Sequence, residues 1–383
     1  MLVRCVRKRG DYFMYRMLGK RLRVVGTGLC ALFFVCFLMS PEVGAQTVIT
    51  DQAGREVVIE GPVKRIVTIP IPAASMVLAI DGSSERLVGM NPLSKTAIEG
   101  EILSEFFPEA LRIRSDIVQG EGFQPNVESL MSLAPDIVFQ WGNFGDNLYI
   151  PLLDAGMKVA LFKYGTQEYL EGWIETFGAI LGKQEKAATI LDWHRKTREQ
   201  LTRRSEAIPD SEKPRTLYFL RFLANYQVAG KNTHNDVSIV LSGGKNVAAE
   251  EIDGFATVNE EQILLWDPEV ILLNSFERDL TPEHVYANER LKGVSAVKNR
   301  RVYKLPLGGY RWDPPNQETP LMWIWMSSVL HPGRDKFDLS GEMEKAYILL
   351  YGKTLSRAQY EHILEMEKNR GSAHYEALFG RGQ

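Results

Sequence analysis

Gly308-Gly309-Tyr310-Arg311-Trp312-Asp313-Pro314-Pro315-Asn316-Gln317-Glu318 holds the residue types best suited to ligand chemistry. A guanidinium between two aromatic rings, on a loop stiffened by two prolines, suits an anionic or aromatic ligand. Tyr310, Arg311 and Trp312 are therefore candidate contacts. The competing reading is a loop satisfied internally, with Arg311 paired to Asp313 or Glu318. Pro72 and the Trp141-Gly142-Asn143-Phe144 run each follow an expected strand, where α/β sheets hold their ligands. Trp141, Asn143, Tyr164, Arg221 and Tyr226 join Pro72 as further candidates, although a salt bridge at a lobe rim accounts for Arg221 equally well. His234 reads as part of a helix cap, and His194 as a core or flank residue.

Enzymatic motifs are missing. There is no G-x-S-x-G, H-E-x-x-H or G-x-G-x-x-G, each of which would carry its own chemistry. No His, Asp and Glu cluster has metal-ligand spacing, so no metal site and no catalytic residue are assigned.

The elements that must position these residues alternate. Lys64 to Ile69 is a strand, Ala73 to Ile80 a helix, Arg86 to Met90 a strand and Ile98 to Phe107 a helix. Asn126 to Ala134 is a helix and Asp136 to Trp141 a strand, and Lys158 to Phe162 is the next strand. Val48 to Ile59 is a hairpin turning at Ala53-Gly54. From Glu168 to Ile208 the apolar residues recur at three and four, the spacing of a helix face, with a break or kink at Gly182-Lys183-Gln184. The alternation then restarts. Arg215 to Phe222 and Glu269 to Asn274 are strands, Asn259 to Trp266 a helix, and Glu342 to Leu350 and Arg357 to Lys368 closing helices. Short helices between buried strands indicate parallel α/β sheets.

Two segments repeat. Asn126-Val127-Glu128 through Pro135-Asp136-Ile137-Val138 matches Asn259-Glu260-Glu261 through Pro268-Glu269-Val270-Ile271 in order and length. Any helix–proline–acid–strand unit resembles this. The shared Asn and Glu are explained structurally by capping and by the helix dipole.

The amino terminus differs from the rest. Arginines and lysines precede an apolar run from Val24 to Met39 and a small-residue site at Val43-Gly44-Ala45, the layout of a cleavable signal peptide over residues 1–45. An uncleaved anchor is the alternative, and Met14 or Met17 would give a shorter leader. Cys5, Cys30 and Cys36 all fall in this leader, so the remaining chain relies on its core instead of disulfides. A formal net charge of -3 gives no global pull toward nucleic acid.

From about Val48 to the last helices, the chain resembles the periplasmic or extracellular solute-binding proteins of ABC importers for iron chelates, haem and vitamin B12. The resemblance rests on Lys64-Arg65-Ile66-Val67, on the two repeated units and on the long helix between them. It implies an α/β fold of two Rossmann-like lobes with parallel-rich sheets, joined by one long interlobe helix. The lobes would cover residues 46–165 and 211–383, with the helix at 166–210. It implies a periplasmic monomer that carries a ligand in the interlobe cleft, with modest closure, to a permease and its ATPase. Glu128 and Glu261 would dock onto permease arginines. The ligand would be an anionic metal chelate, a ferric siderophore first, with haem, a corrinoid, molybdate or tungstate as alternatives, and no catalytic cofactor. An extracytoplasmic α/β enzyme is the alternative of another class, to be recognised by a nucleophile–base pair in the cleft.

Overall fold

Buried apolar runs bounded by turns set the strands. The computed structural model describes residues 46–120, 122–334 and 337–380. The expected leader lies outside them.

In the N-terminal lobe, β1 (Thr47–Thr50) and β2 (Glu56–Ile59) form an antiparallel hairpin. Gly54 turns it at φ +81°, a left-handed geometry that glycine adopts without strain. Next, β3 (Ile66–Thr68), β4 (Leu87–Met90), β5 (Ile137–Trp141) and β6 (Val159–Phe162) make an all-parallel sheet ordered β4-β3-β5-β6. β3, β5 and β6 are buried along their whole length, as strands covered on both faces must be. Helices α1 (Ala73–Asp81), α2 (Pro92–Ile98), α3 (Ile102–Phe106), α4 (Val127–Ser132) and α5 (Ile150–Asp154) surround them. The helix expected over Ile98 to Phe107 is shorter, α3 (Ile102–Phe106), and α2 (Pro92–Ile98) precedes it where no helix was expected. Asn91 starts α2 by accepting from the Leu93 N–H at 2.9 Å, and Gly100 at φ +76° separates the two.

The helical stretch expected from Glu168 to Ile208 takes the break and not the kink at Gly182-Lys183-Gln184, and is two helices, α6 (Gln167–Leu181) and α7 (Gln184–Glu206), instead of the one interlobe helix that the resemblance implies. Gly182 is no kink. It is a left-handed cap at φ +67° whose N–H closes back on α6, and the chain reverses there. The two helices lie antiparallel, with Arg195 and Arg198 of α7 reaching Glu171 of α6 at 3.1 and 3.3 Å. They pack closely because Gly178 has no side chain; a Cβ there would sit 2.5 Å from that of Ala187. α6 belongs to the N-terminal lobe, where Phe177 and Trp173 pack against Phe162 and Phe139. α7 alone joins the lobes, packing on elements of the C-terminal lobe.

There β7 (Arg215–Arg221), β8 (Tyr226–Ala229), β9 (Lys245–Asn246), β10 (Phe255–Val258), β11 (Val270–Leu273) and β12 (Val302–Lys304) form a mixed sheet. Its path is β10-β8-β7-β11-β12, with β9 beside β7. β9, β11 and β12 follow the parallel pattern; β8 alone runs against the rest, antiparallel to both of its neighbours, β7 and β10. Helices α8 (His234–Leu241), α9 (Glu260–Trp266), α10 (Pro282–Tyr286), α11 (Ser295–Lys298), α12 (Thr319–Leu330), α13 (Leu339–Tyr351), α14 (Arg357–Ile363) and α15 (Tyr375–Phe379) complete it. The expected closing helix to Lys368 stops at Ile363, and Glu365 turns left-handed at φ +51°. Every residue of α12 is buried. α13 crosses back onto α1 of the first lobe, where Phe106 meets Tyr347 and Tyr351. The largest core cluster therefore runs through both lobes and their junction.

The sequence repeat is a structural repeat. Asn126 and Asn259 cap α4 and α9 by accepting from Ser129 and Gln262 N–H at 3.3 and 2.9 Å. Each helix ends on a left-handed residue before proline, Ala134 and Asp267, both at φ 41°. Arg65 donates to the Leu133 carbonyl at 2.7 Å and Arg215 to that of Asp267 at 2.9 Å. The acid after each proline receives the backbone N–H of that same arginine, at 2.8 Å for Asp136 and 2.9 Å for Glu269. The acid and the arginine thus lock the helix end to the two neighbouring strands.

Candidate functional site

The carboxyl ends of both sheets face one cleft. A cavity of about 280 Å³ lies there, between the lobes. The N-terminal lobe contributes Ile71 and Pro72 after β3, Leu93 after β4, Phe123 from the loop before α4, Trp141 and Phe144 at the end of β5, and Tyr164 after β6. The C-terminal lobe contributes Tyr218, Leu220 and Arg221 of β7, Asn235, Phe255, Phe276 after β11, and Asp313 and Pro314 after β12. This is the strand-end placement expected of a ligand site in α/β sheets. The surface is mostly apolar and aromatic. Trp141 meets Phe123, Phe144 and Tyr164 edge-on, at centroid distances of 5.8, 5.3 and 6.3 Å. Its indole N–H has no acceptor among the described residues.

The charged groups sort into two kinds. Asp313 is satisfied within the wall. It accepts from the Tyr218 hydroxyl at 2.8 Å, from the Ser275 N–H at 3.2 Å and from the Ser275 hydroxyl. Burial, then the Asp313 carboxylate, push the Tyr218 phenol well up, and burial raises that of Tyr164, so both are neutral donors. The arginines have no such partner. Arg221 donates to its neighbour's carbonyl, Leu220, at 2.6 Å and lies 4.9 Å from the Phe276 ring centre. Arg311 donates to the Leu93 carbonyl at 3.1 Å, across the cleft, and lies 4.8 Å from the same ring. Among the described residues neither guanidinium has a carboxylate within ion-pair distance, and the Arg311 Nε–H has no acceptor.

Pro72, Trp141, Tyr164 and Arg221 thus line the cavity, and Arg311 backs it through Leu93 and Phe276. The other expected contacts lie elsewhere. Trp312 is buried, its indole donating to Glu318 at 2.7 Å. Tyr310 is buried, and its phenol is pushed up to about 12 by loss of water. Asn143 staples its loop, both ends of its amide bonding the Tyr164 backbone at 2.9 and 3.1 Å. Tyr226 packs on Phe219 and Phe222 and receives Asn288 at 2.8 Å, in a separate core cluster. Glu318, offered as a partner for Arg311, instead accepts from the Gly309 N–H at 2.9 Å, Trp312 and the Tyr351 hydroxyl at 2.6 Å. Burial raises its pKa.

Phe276, Phe255 and Asn235 were not expected at the site. Phe276 was legible by the rule that picked the Trp141 run, since it lies in the loop just past the end of a buried strand. His194 is core, as expected. Its Nε2 lies 3.1 Å from the Gln317 carbonyl, and burial pushes its imidazole down to about 4. At the cleft rim, Glu101 of the first lobe lies between Arg278 at 3.2 Å and His362 at 2.8 Å, both from the second half of the chain. Arg278 also donates to the carbonyls of Thr96 and Glu99 at 2.9 and 2.5 Å, near the end of α2.

Glu128 and Glu261 occupy the first turns of α4 and α9 and are exposed. Neither takes part in an ion pair or hydrogen bond among the described residues. Met131, Leu264 and Leu265 on the same helices are exposed apolar residues.

Residues 76–307 match the family model described as "Periplasmic binding protein". The chain belongs to the periplasmic binding protein family. Its members are the non-catalytic receptors of ABC importers and work with a permease and its ATPase, so this receptor is a carrier and not an enzyme. A periplasmic solute-binding protein of Veillonella parvula has a similar structure, with a TM-score of 0.76 and 32% identity, covering 85% of this chain and 99% of that one. The molybdate-binding protein MolA of Haemophilus influenzae is 24% identical over 80% of this chain and 91% of its own length. A cobalamin-binding protein of Halobacterium salinarum is 27% identical over 60% of this chain and 64% of its own length.

Proposed function

We propose that this receptor captures an anionic metal complex with a broad apolar face, of the haem or corrinoid kind, and delivers it to a permease. One observation carries the reading: Arg221 on the wall and Arg311 behind it, both without carboxylate partners, stand beside a surface that is mostly aromatic and apolar. A planar or cage-like chelate would lay its apolar face on Trp141, Phe123 and Phe144. Its carboxylate or phosphate would meet the arginines, whose planar donors suit such groups. A ferric siderophore with anionic groups fits the same chemistry less specifically. Molybdate is the second reading, supported by the likeness to MolA over most of both chains. A bare oxyanion needs several convergent donors, and this wall offers few.

A thermal-shift panel of hemin, cyanocobalamin, ferric enterobactin and molybdate separates these ligands, since a ligand bound to the folded state raises its apparent stability. Hemin or the cobalamin is expected to give the largest shift. A shift with molybdate alone would transfer the assignment to the oxyanion.

Glu128 and Glu261 form the docking pair in this reading. They are exposed, matched in the two lobes and beside exposed apolar side chains, as suits a transient interface with arginines. The Glu128→Ala, Glu261→Ala double variant is expected to lose uptake in cells while the purified protein keeps its ligand affinity. Full uptake by the double variant would remove the pair from the interface.

A further inference from the structure

Phe276 has no polar side-chain atom, yet it is the one ring among the described residues that both cleft arginines approach. Arg221 and Arg311 lie 4.9 and 4.8 Å from its centre. A long arginine side chain without a carboxylate partner samples many rotamers, and fixing it costs conformational entropy. An aromatic face holds a guanidinium while leaving the N–H groups along its edge free. A carboxylate would hold it too, but would occupy those N–H groups and cancel its charge. The cleft uses the ring.

The ring itself is fixed from both sides. Before it, the Ser275 N–H and hydroxyl bond Asp313. After it, the Glu277 carboxylate accepts from the N–H groups of Phe222 and Leu223 at 2.8 and 3.0 Å, the two residues that follow Arg221. Lys304 donates to the Glu277 carbonyl at 2.6 Å. The ring is thereby tied to the strand end that carries Arg221, and Arg278 ties the same loop to the opposite lobe.

We propose that Phe276 is the positioning residue of the anion site: its ring holds Arg221 and Arg311 unneutralised at the cleft and so sets the receptor's preference for anionic ligands. This rests on the receptor reading above. It goes beyond it by assigning ligand-charge selectivity to a residue with no charge.

The test uses Phe276→Leu, with Phe276→Met as a second ring-free variant should the first fail to fold, and Phe276→Tyr to restore a ring. The first readout needs no ligand. Phenylglyoxal modification of Arg221, followed by peptide mass spectrometry, is expected to run about two- to fivefold faster without the ring, as loss of one cation–π contact implies. Phe276→Tyr is expected to return the rate toward the wild-type value. Equal rates in all variants would overturn the proposal.

The second readout is hemin affinity at low and high ionic strength. The ring-free variants are expected to bind about fivefold more weakly at low salt and to show a flatter salt dependence, with both restored by Phe276→Tyr. A loss that is the same at every ionic strength would mean that Phe276 only fills space, and would also overturn the proposal. Should wild type bind no hemin, the ligand class is wrong, and the modification rates still decide whether the ring holds the arginine.

Discussion

The two walls of the cleft are built alike and equipped differently. Each lies at the carboxyl ends of a largely parallel sheet, with its flanking helix locked by the same arginine–carbonyl and acid–amide contacts. The N-terminal wall is Ile71, Pro72, Leu93, Phe123, Trp141, Phe144 and Tyr164, with no charged side chain. The C-terminal wall carries Arg221 and Asp313, with Arg311 behind. A duplicated scaffold thus assigns shape to one lobe and charge to the other. Tyr218 and Ser275 tie Asp313 into the wall by neutral hydrogen bonds, and the guanidiniums of Arg221 and Arg311 set against that single carboxylate leave a positive formal excess on this side.

The strongest way to break this division is to remove the charge. Arg221→Ala combined with Arg311→Ala is expected to weaken hemin binding by at least 10-fold. Each lost charged hydrogen-bond partner contributes about 1–3 kcal/mol. Isothermal titration of the single and double variants measures it. Unchanged affinity in the double variant would place the anion elsewhere.

Removing shape from the other wall has a smaller effect. Phe144 is half exposed at the loop tip and stacks near Phe123, so Phe144→Ala leaves the core intact. It is expected to lower hemin affinity by roughly threefold to tenfold, the value of one aromatic contact of about 0.5–1.5 kcal/mol, with no change in its salt dependence. A change in salt dependence would show that the two walls do not divide the work.

The smallest effect concerns how the walls are held together. His362 pairs with Glu101 across the rim, and that hydrogen bond raises the imidazole pKa above its ordinary value. A raised folded-state pKa gives stability that is fully present below about pH 6.5, the unfolded value. That stability is lost as the pH rises through the higher folded value. The ring is partly exposed, so screening keeps the contribution below ~1 kcal/mol. Between pH 6 and pH 8.5 the wild-type melting temperature is expected to fall about 1 °C more than that of His362→Gln. Parallel curves for the two proteins would show that the pair contributes nothing to the closure of the rim.

Much of the scaffold was legible because it follows from local rules. The hairpin at Gly54, the proline stops at Pro135 and Pro268, and the repeat between α4–β5 and α9–β11 all came from turn chemistry and patterning. The reversal at Gly182 was not legible. A left-handed glycine between two apolar stripes reads in sequence much like a kink, and only the pairing of Glu171 with Arg195 and Arg198 decides between them. At the site, residues just past strand ends were easy to propose: Pro72, Trp141 and Arg221. Tyr310 and Trp312 were misleading because aromatic residues beside an arginine look alike whether they face a ligand or a core. Trp312 turns inward to Glu318 on the same loop, a buried carboxylate that also gathers the Gly309 N–H and the Tyr351 hydroxyl, and the inward turn depends on α13 delivering Tyr351.

The return of α13 onto α1 has a consequence for folding. α1 lies near the beginning of the folded chain and α13 near its end, and the face between them is buried. α6 of the same lobe also covers α1, and α13 closes the rest of that face. The core of the first lobe is therefore complete only when a helix from the far side of the second sheet has docked, so the two lobes share one closing step in folding instead of each finishing alone.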